Sequence, residues 1–206
     1  MTDFSIEKKY SSPVIGLDEV GRGPIAGPVV SCGCLFKSYK NENEYKELII
    51  DSKKLSLKKR KKAFSFLISL KKQKIINFYL AMASVEEIDK LNILEATKLS
   101  MNRVVDKFKI KKSTLIIDGN FQLKYKNYKE QSLVKGDQKS ISIAAASIIA
   151  KVHRDRLMGI LSRKFKGYCW EDNAGYGTKK HIEELKRKGI TKYHRRSFEP
   201  IKSMFN

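Results

Sequence analysis

The chain has 206 residues, 41% hydrophobic and 32% charged, which fits one soluble globular domain and excludes collagen-like or wholly disordered classes. No stretch approaches the roughly 20 uncharged apolar residues of a membrane span, and Met1 to Lys9 has acids but no apolar core, so no secretory signal is expected. The net charge of +21, from 43 Lys and Arg against 22 Asp and Glu, points to a polyanionic partner bound in a salt-dependent way. A lysine-rich compositional bias is the plainer source of the same excess. Cys32, Cys34 and Cys169 show no Cys-x-x-Cys pairing, which argues against disulfides or a Cys-rich zinc site and favours a reducing, cytoplasmic setting.

In chain order, Pro13 to Leu17 reads as a short apolar strand ending at Asp18. A Gly/Pro loop follows, Gly21 to Pro28, and Val29 to Phe36 reads as a second strand, the two forming a hairpin with a broad turn. Asn41 to Glu47 reads as a polar loop entering a short helix. Leu57 to Leu70 is helical in composition, with a basic face over Lys58-Lys59-Arg60-Lys61-Lys62 that is either solvated or adds affinity for a duplex backbone. Lys74 to Met82 reads as a strand. Ser84 with Glu87 predicts a capping box, Asn92 with Glu95 repeats the pattern, and a helix then runs to about Phe108. Thr114 to Ile117 is β-rich and ends at Asp118-Gly119-Asn120. Ser140 to Leu161, rich in Ala and Ile, predicts a long and mostly buried helix. Thr178 to Lys188 predicts another, stopped by Gly189, and the remainder to Asn206 is basic and irregular. Strands first and helices last predict an α/β core with a helical C-terminal part.

The acids stand out in so basic a chain. Asp18 and Glu19 follow one apolar strand and Asp118 follows another. Neighbouring side chains on a strand point to opposite faces, but a strand end can twist both towards one site. If the two strands are neighbours, Asp18 and Asp118 converge, and their repulsion calls for a divalent cation with oxygen ligands, Mg²⁺ or Mn²⁺. Ordinary turn chemistry at Asp118-Gly119 is the competing reading. Gly21-Arg22-Gly23 approaches a dinucleotide-binding fingerprint, but Pro24 and Pro28 intervene where a helix is required. It reads instead as a glycine loop that lets another backbone come close. His153, His181 and His194 are not spaced as a zinc set; His153 reads as structural, the other two as near-substrate or packed. Trp170 reads as core or surface filler.

Six motifs in order carry a resemblance. They are Gly16-Leu-Asp-Glu-Val-Gly-Arg-Gly-Pro-Ile-Ala-Gly-Pro-Val-Val30, Asp51-Ser-Lys-Lys-Leu-Ser56, Ile117-Asp-Gly-Asn120 with Lys135-Gly-Asp137, Ser142-Ile-Ala-Ala-Ala-Ser-Ile-Ile-Ala-Lys-Val-His-Arg-Asp155, Gly175-Tyr-Gly-Thr-Lys-Lys-His181 and His194-Arg-Arg-Ser-Phe198. Over about residues 14–201 the chain closely resembles the ribonuclease HII family, the bacterial type 2 ribonucleases H.

The resemblance implies a ribonuclease H-like α/β fold, a mixed central sheet flanked by helices with a helical C-terminal segment. It implies one catalytic domain over 1–206, with a core of about 13–162 and a substrate-binding segment of about 163–206. It also implies a metal-dependent endonuclease that hydrolyses the RNA strand of RNA/DNA hybrids and nicks 5′ of ribonucleotides embedded in duplex DNA, leaving 3′-hydroxyl and 5′-phosphate ends. The family's catalytic and metal-binding acids map onto Asp18, Glu19, Asp118 and Asp137, serving two Mn²⁺ or Mg²⁺ ions. Asp155 competes with Asp137 for the fourth place; its plainer reading is an ion pair with Lys151 or with an arginine brought near by the fold. The family's loop that reads the ribose 2′-hydroxyl at an RNA–DNA junction maps onto Gly21, Arg22 and Gly23, and its junction-sensing tyrosine maps onto Tyr176. Lys53 and Lys54 either contact phosphate or are solvated surface. A monomer in the cytoplasm, free of membrane, is expected. The related ribonuclease HIII type carries an extra N-terminal domain, for which the start of the motif at Gly16 leaves no room. A non-catalytic basic binding module is the rival of another class; retained acids argue against it, because they weaken binding to a polyanion.

Overall fold

Strand β1 (Val14–Val20) turns back through the Gly/Pro loop into β2 (Val29–Phe36), and the two pair antiparallel with Asp18 opposite Cys32. On its far side β2 pairs antiparallel with β3 (Ile76–Ala83). In the other direction β1 pairs parallel with β4 (Thr114–Asp118), Leu17 opposite Ile117, and β4 pairs parallel with β5 (Lys129–Leu133). The result is a five-stranded mixed sheet of order β3-β2-β1-β4-β5. This computed structural model describes residues 2–40, 42–49 and 55–205. Lys53 and Lys54, with Asp51 and Ser52 of their motif, lie outside the described residues.

Helices close both faces. Helices α1 (Glu42–Leu48) and α2 (Leu57–Lys72) follow β2, and α3 (Val85–Leu91) and α4 (Ile93–Phe108) follow β3. Met101, Val104, Val105 and Phe108 of α4 cover Ile15, Leu17, Leu115 and Ile117. Helix α5 (Ile141–Lys164) covers the opposite face, where its Ala144, Ala145 and Ile148 join Cys32 and Cys34, with Phe64 and Leu67 of α2 in the same cluster. A helix between the sheet and a second helix must be apolar nearly all round, which is why the Ala/Ile run shows no polar stripe. At Gly16 the approach is closest: a Cβ there would stand 2.5 Å from the Ser142 carbonyl carbon and 2.6 Å from the Ile143 nitrogen. Only glycine lets α5 lie so near β1. The N-terminus of α5 is held by the buried Glu7, whose Oε1 accepts the Ser140 hydroxyl at 2.6 Å and the Ser142 amide at 3.0 Å. Both the orphan amides and the helix dipole favour a carboxylate at that end.

The local signals hold closely. Ser84 and Glu87 cap α3 reciprocally, Asn92 Oδ1 accepts the Leu94 and Glu95 amides at the start of α4, and Thr178 and Gly189 bound helix α7 (Lys179–Lys188). Three features differ from the sequence reading. β1 runs on through Val20, so Asp18 and Glu19 lie inside its last turn of pleat rather than beyond it. β5 is an edge strand with one strongly apolar residue, Leu133; its Glu130 carboxylate leaves the ladder and accepts the amides of Leu123 and Tyr125 at 2.8 and 2.6 Å. Short helices α6 (Trp170–Asn173) and α8 (Ile201–Phe205) interrupt the C-terminal segment. At the other edge, the carbonyls of Phe78, Leu80 and Met82 on β3 are occupied by Lys71, Lys107 and Arg103 at 3.1, 2.6 and 2.9 Å. Charged side chains of this kind keep an edge from recruiting another strand. Among the described residues no helix is long and apolar enough to cross a membrane.

The C-terminal segment packs on the Gly/Pro loop, its Trp170, Tyr168 and Leu185 clustering with Ile25, Ala26 and Met158 of α5. Within it two histidines form a directed hydrogen-bond chain. The Thr191 amide donates to His194 Nδ1 at 2.8 Å, so His194 carries its proton on Nε2. That nitrogen lies 3.0 Å from His181 Nε2, which also accepts the Trp170 indole at 3.1 Å, leaving His181 Nδ1 to donate to the Tyr176 carbonyl at 2.8 Å. Both rings are neutral in this arrangement. Burial, and then the neighbouring His181, push His194 down to about 3, and burial lowers His181 as well. The unfolded chain therefore binds more protons than the folded one below the ordinary histidine value of about 6.5, and stability falls as pH falls towards about 3. The unfolding free energy from urea titrations between pH 7.5 and 5 should drop by up to about 1.4 kcal/mol per pH unit for each histidine. The drop should be smaller in His194→Gln; equal slopes in the two proteins would refute the neutral pair.

Candidate active site

The parallel pairing of β1 with β4 decides the geometry. With Leu17 opposite Ile117, the next residues, Asp18 and Asp118, stand side by side at the C-terminal ends of adjacent strands. Sites in α/β sheets form at such ends, where the chain leaves the sheet and loops diverge. Gly16 and Asp18 share one face of β1, so the contact that presses α5 onto Gly16 also faces Asp18 with the same helix, and the Ser147 hydroxyl hydrogen-bonds its carboxyl. Asp18 is 4% exposed. Burial raises its carboxyl well above the usual range, the charges of Glu19 and Asp118 add to the rise, and the Ser147 hydroxyl and Glu19 amide oppose it.

Other donors hold the remaining acids. Asp118 Oδ1 accepts the Gly136 amide at 2.7 Å, which ties β4 to the short 3-10 turn Gly136–Gln138. Asp137 lies in that turn, buried, one residue from the amide that binds Asp118. Glu19 meets the Arg22 guanidinium at 3.5 Å. Asp155 is paired with Lys151 at 2.8 Å, as weighed from sequence, and with Arg60 at 3.7 Å, an arginine the fold brings near. The other members of the basic run, Lys58, Lys59, Lys61 and Lys62, form an exposed face of α2.

An oxygen-only donor set suits a hard divalent cation, and the repulsion felt at Asp18 is the charge imbalance such a cation removes. Among the described residues, however, no three Asp, Glu, His or Cys side chains are gathered into a metal cage. Asp118 Oδ1 rests on the Gly136 amide, Asp18 Oδ1 on the Glu19 amide at 2.7 Å, and Glu19 faces Arg22.

Beside the acids lies the glycine loop. Arg22 and Gly23 are exposed, and their amides make no hydrogen bond to the protein among the described residues. Gly21 has φ +95°, and a Cβ there would fall 2.1 Å from Arg154 Nε, so the position requires glycine. Tyr176 is half exposed, and its ring edge is the nearest neighbour of a Cβ built on Gly23, at 3.4 Å. The Ile25 and Ala26 amides bond the Gly175 carbonyl at 2.9 and 3.2 Å, zipping the two loops together. His181 and His194 are buried behind Tyr176, Trp170 is core, and His153 on α5 meets Phe64 edge-on. Sequence reasoning assigned nothing to Arg154 and Arg195, both buried under the loop; an arginine inside the Ala/Ile-rich α5 was the available signal.

A mixed sheet of this order, helix-covered on both faces and with carboxylates on its central parallel pair, defines the ribonuclease H-like class. The family model described as Ribonuclease HII matches residues 15–201. Ribonuclease HII of Macrococcus caseolyticus is 47% identical over 96% of this chain and 71% of its own length. That of the Wolbachia of Brugia malayi is 47% identical over 97% and 94%. Among solved structures, ribonuclease H2 of Pyrococcus horikoshii superposes with a TM-score of 0.70 at 29% identity, covering 93% of this chain and 96% of that one. The chain belongs to the ribonuclease HII family and is an endonuclease of the ribonuclease H type.

A test of the buried carboxylates needs no substrate. Asp18→Asn removes a like charge at nearly constant shape. In chelator its melting temperature should rise by a few degrees, as about 1 kcal/mol is worth roughly 2–4 °C in a chain of this size. A fall would mean that Asp18 is held by its donors more strongly than it is repelled.

Proposed function

We propose that this chain hydrolyses the RNA strand of RNA/DNA hybrids and nicks duplex DNA on the 5′ side of an embedded ribonucleotide, leaving 3′-hydroxyl and 5′-phosphate ends. The observation that carries the reading is the juxtaposition of Asp18 and Asp118 at adjacent strand ends with an exposed glycine loop starting three residues after Asp18. One feature suits phosphodiester hydrolysis and the other suits recognition of a sugar at close range.

In this reading Asp18, Glu19, Asp118 and Asp137 hold divalent cations, Mg²⁺ or Mn²⁺. Bound there, the ions supply activation of the attacking water and neutralisation of charge at the departing 3′-oxygen. The protein's own groups do the rest. The Ser147 hydroxyl and Glu19 amide orient the Asp18 carboxylate, and the Gly136 amide orients Asp118. The outward amides of Arg22 and Gly23 are donors for the ribose 2′-hydroxyl, the group that separates RNA from DNA. Tyr176, beside Gly23, offers an open ring face to the sugar or base at the junction. The net charge of +21 supplies sequence-independent attraction to both strands.

The experiment is cleavage of a DNA duplex carrying one ribonucleotide, and of a long RNA/DNA hybrid, with Mg²⁺, with Mn²⁺ and with chelator. Wild type should nick 5′ of the ribonucleotide in a metal-dependent manner. Asp18→Asn and Asp137→Asn should each lose at least about 100-fold, beyond the roughly 10–100-fold loss typical of an outer-sphere partner. Asp155→Asn should stay within about tenfold. Binding without cleavage in either metal would overturn the assignment in favour of a basic binding module. Equal losses in the Asp137 and Asp155 variants would overturn the choice of fourth acid.

A further inference from the structure

Two guanidinium groups lie under the glycine loop and point nearly all their donors at its carbonyl oxygens. Arg195 Nη2 donates to Gly21 O at 2.5 Å and to Gly27 O at 2.7 Å, its Nη1 to Arg22 O at 2.8 Å, and its Nε to Gly27 O at 2.9 Å. Arg154 donates through Nε to Pro28 O at 3.0 Å, through Nη2 to Ala26 O at 3.0 Å and through Nη1 to Ala174 O at 2.8 Å. Both side chains are fully buried, and among the described residues neither forms an ion pair. Burying two neighbouring cations without a carboxylate is costly. Burial, and then repulsion by Arg154, pull Arg195 down to about 9. A neutral core would hold a loop in place more cheaply, so the arginines' geometry is the informative feature.

A peptide unit is planar and trans, so fixing its oxygen fixes the opposite direction of its hydrogen. Arg195 pins the carbonyls of Gly21 and Arg22. The amides in those same two planes belong to Arg22 and Gly23, the exposed pair without a partner among the described residues. We propose that Arg195, braced by Arg154, is a positioning residue for ribose recognition, turning the Arg22 and Gly23 amides outward to meet a 2′-hydroxyl. Arg195 is itself fixed: its amide bonds Ile25 O at 2.9 Å, and the next two amides bond Asp89 of α3 at 3.0 Å each. The inference rests on the reading of the loop as the sugar sensor given above.

The test is Arg195→Lys, with Arg154→Lys beside it. Lysine keeps the charge, but one ammonium cannot span three carbonyls at set angles. Affinity in chelator is measured for a duplex with one ribonucleotide and for the matching all-DNA duplex, with kcat and KM on the first. We expect the preference for the ribonucleotide duplex to fall about tenfold in Arg195→Lys, the worth of one oriented hydrogen-bond pair. KM should rise more than kcat falls, and all-DNA affinity should stay within about twofold, since the charge remains. Folded variants that keep the wild-type preference, or lose affinity for both duplexes equally, would overturn the proposal while leaving the sugar-sensor reading intact. A wild type without preference would overturn both. Should Arg195→Lys fail to fold, Arg154→Lys is read the same way, and amide exchange in the wild type decides. Fast exchange at Arg22 and Gly23 with a protected Arg195 Nε–H supports the arrangement; slow exchange at those two amides means they face inward and overturns it.

Discussion

The contact of α5 with β1 at Gly16 is the constraint from which the site follows. The helix backbone lies so close to the strand that no side chain fits between them. Two residues on, the same face of β1 carries Asp18 against the same helix, and the carboxylate is buried with the Ser147 hydroxyl hydrogen-bonded to it. Its burial, and hence its repulsion with Glu19 and Asp118, is a product of how tightly helix and sheet pack. Glu7 fixes the other end of this relation by holding the first turn of α5, so the N-terminal segment sets the site without touching it.

Charge in this molecule is sorted by depth. The lysines of the run 58–62 stand in solvent, where each costs little and adds long-range attraction for a polyanion. Others are spent on the sheet edge, where Lys71, Lys107 and Arg103 occupy the outward carbonyls of β3 and leave no free row for another strand. Of the described lysines and arginines, only arginine is taken fully inside, where a planar fork can satisfy several carbonyls at once. A basic composition thus serves solvent, edge and loop by different physics.

Much of this was legible in the sequence because the signals were local. Ser84 with Glu87 and Asn92 with Glu95 are chemistry within one turn, Thr178 and Gly189 act each at its own end of α7, and all bound a helix where expected. The apolar runs gave four of the five strands. β5 escaped because an edge strand paired on one side needs little apolar surface, and Lys129-Glu-Gln-Ser-Leu133 shows little. The adjacency of Asp18 and Asp118 rested on a conditional, that their strands be neighbours, which only the parallel pairing of β1 with β4 supplies. The partners of Arg154 and Arg195 could not be read at all, because Arg195 and the carbonyls it binds are separated by 168 residues or more in the chain.

The C-terminal segment gains a definite physical role from those distant contacts. It brings two hydrogen-bond systems to the carboxylates from one direction. Arg195 sets the planes of the glycine loop, while its neighbour His194 passes a hydrogen bond through His181 to the Tyr176 carbonyl. Adjacent residues of one irregular stretch therefore hold both loops that flank the acids. Each acts on main-chain oxygen, so the orientation it imposes is independent of the side chains at the loop tips. Strands β1 and β4 bring the carboxylates together, but the face they present to a ligand takes its shape from the last quarter of the chain. That division explains why the loop can be built of glycines: its order is imposed from below, by rigid donors, and its open side stays bare.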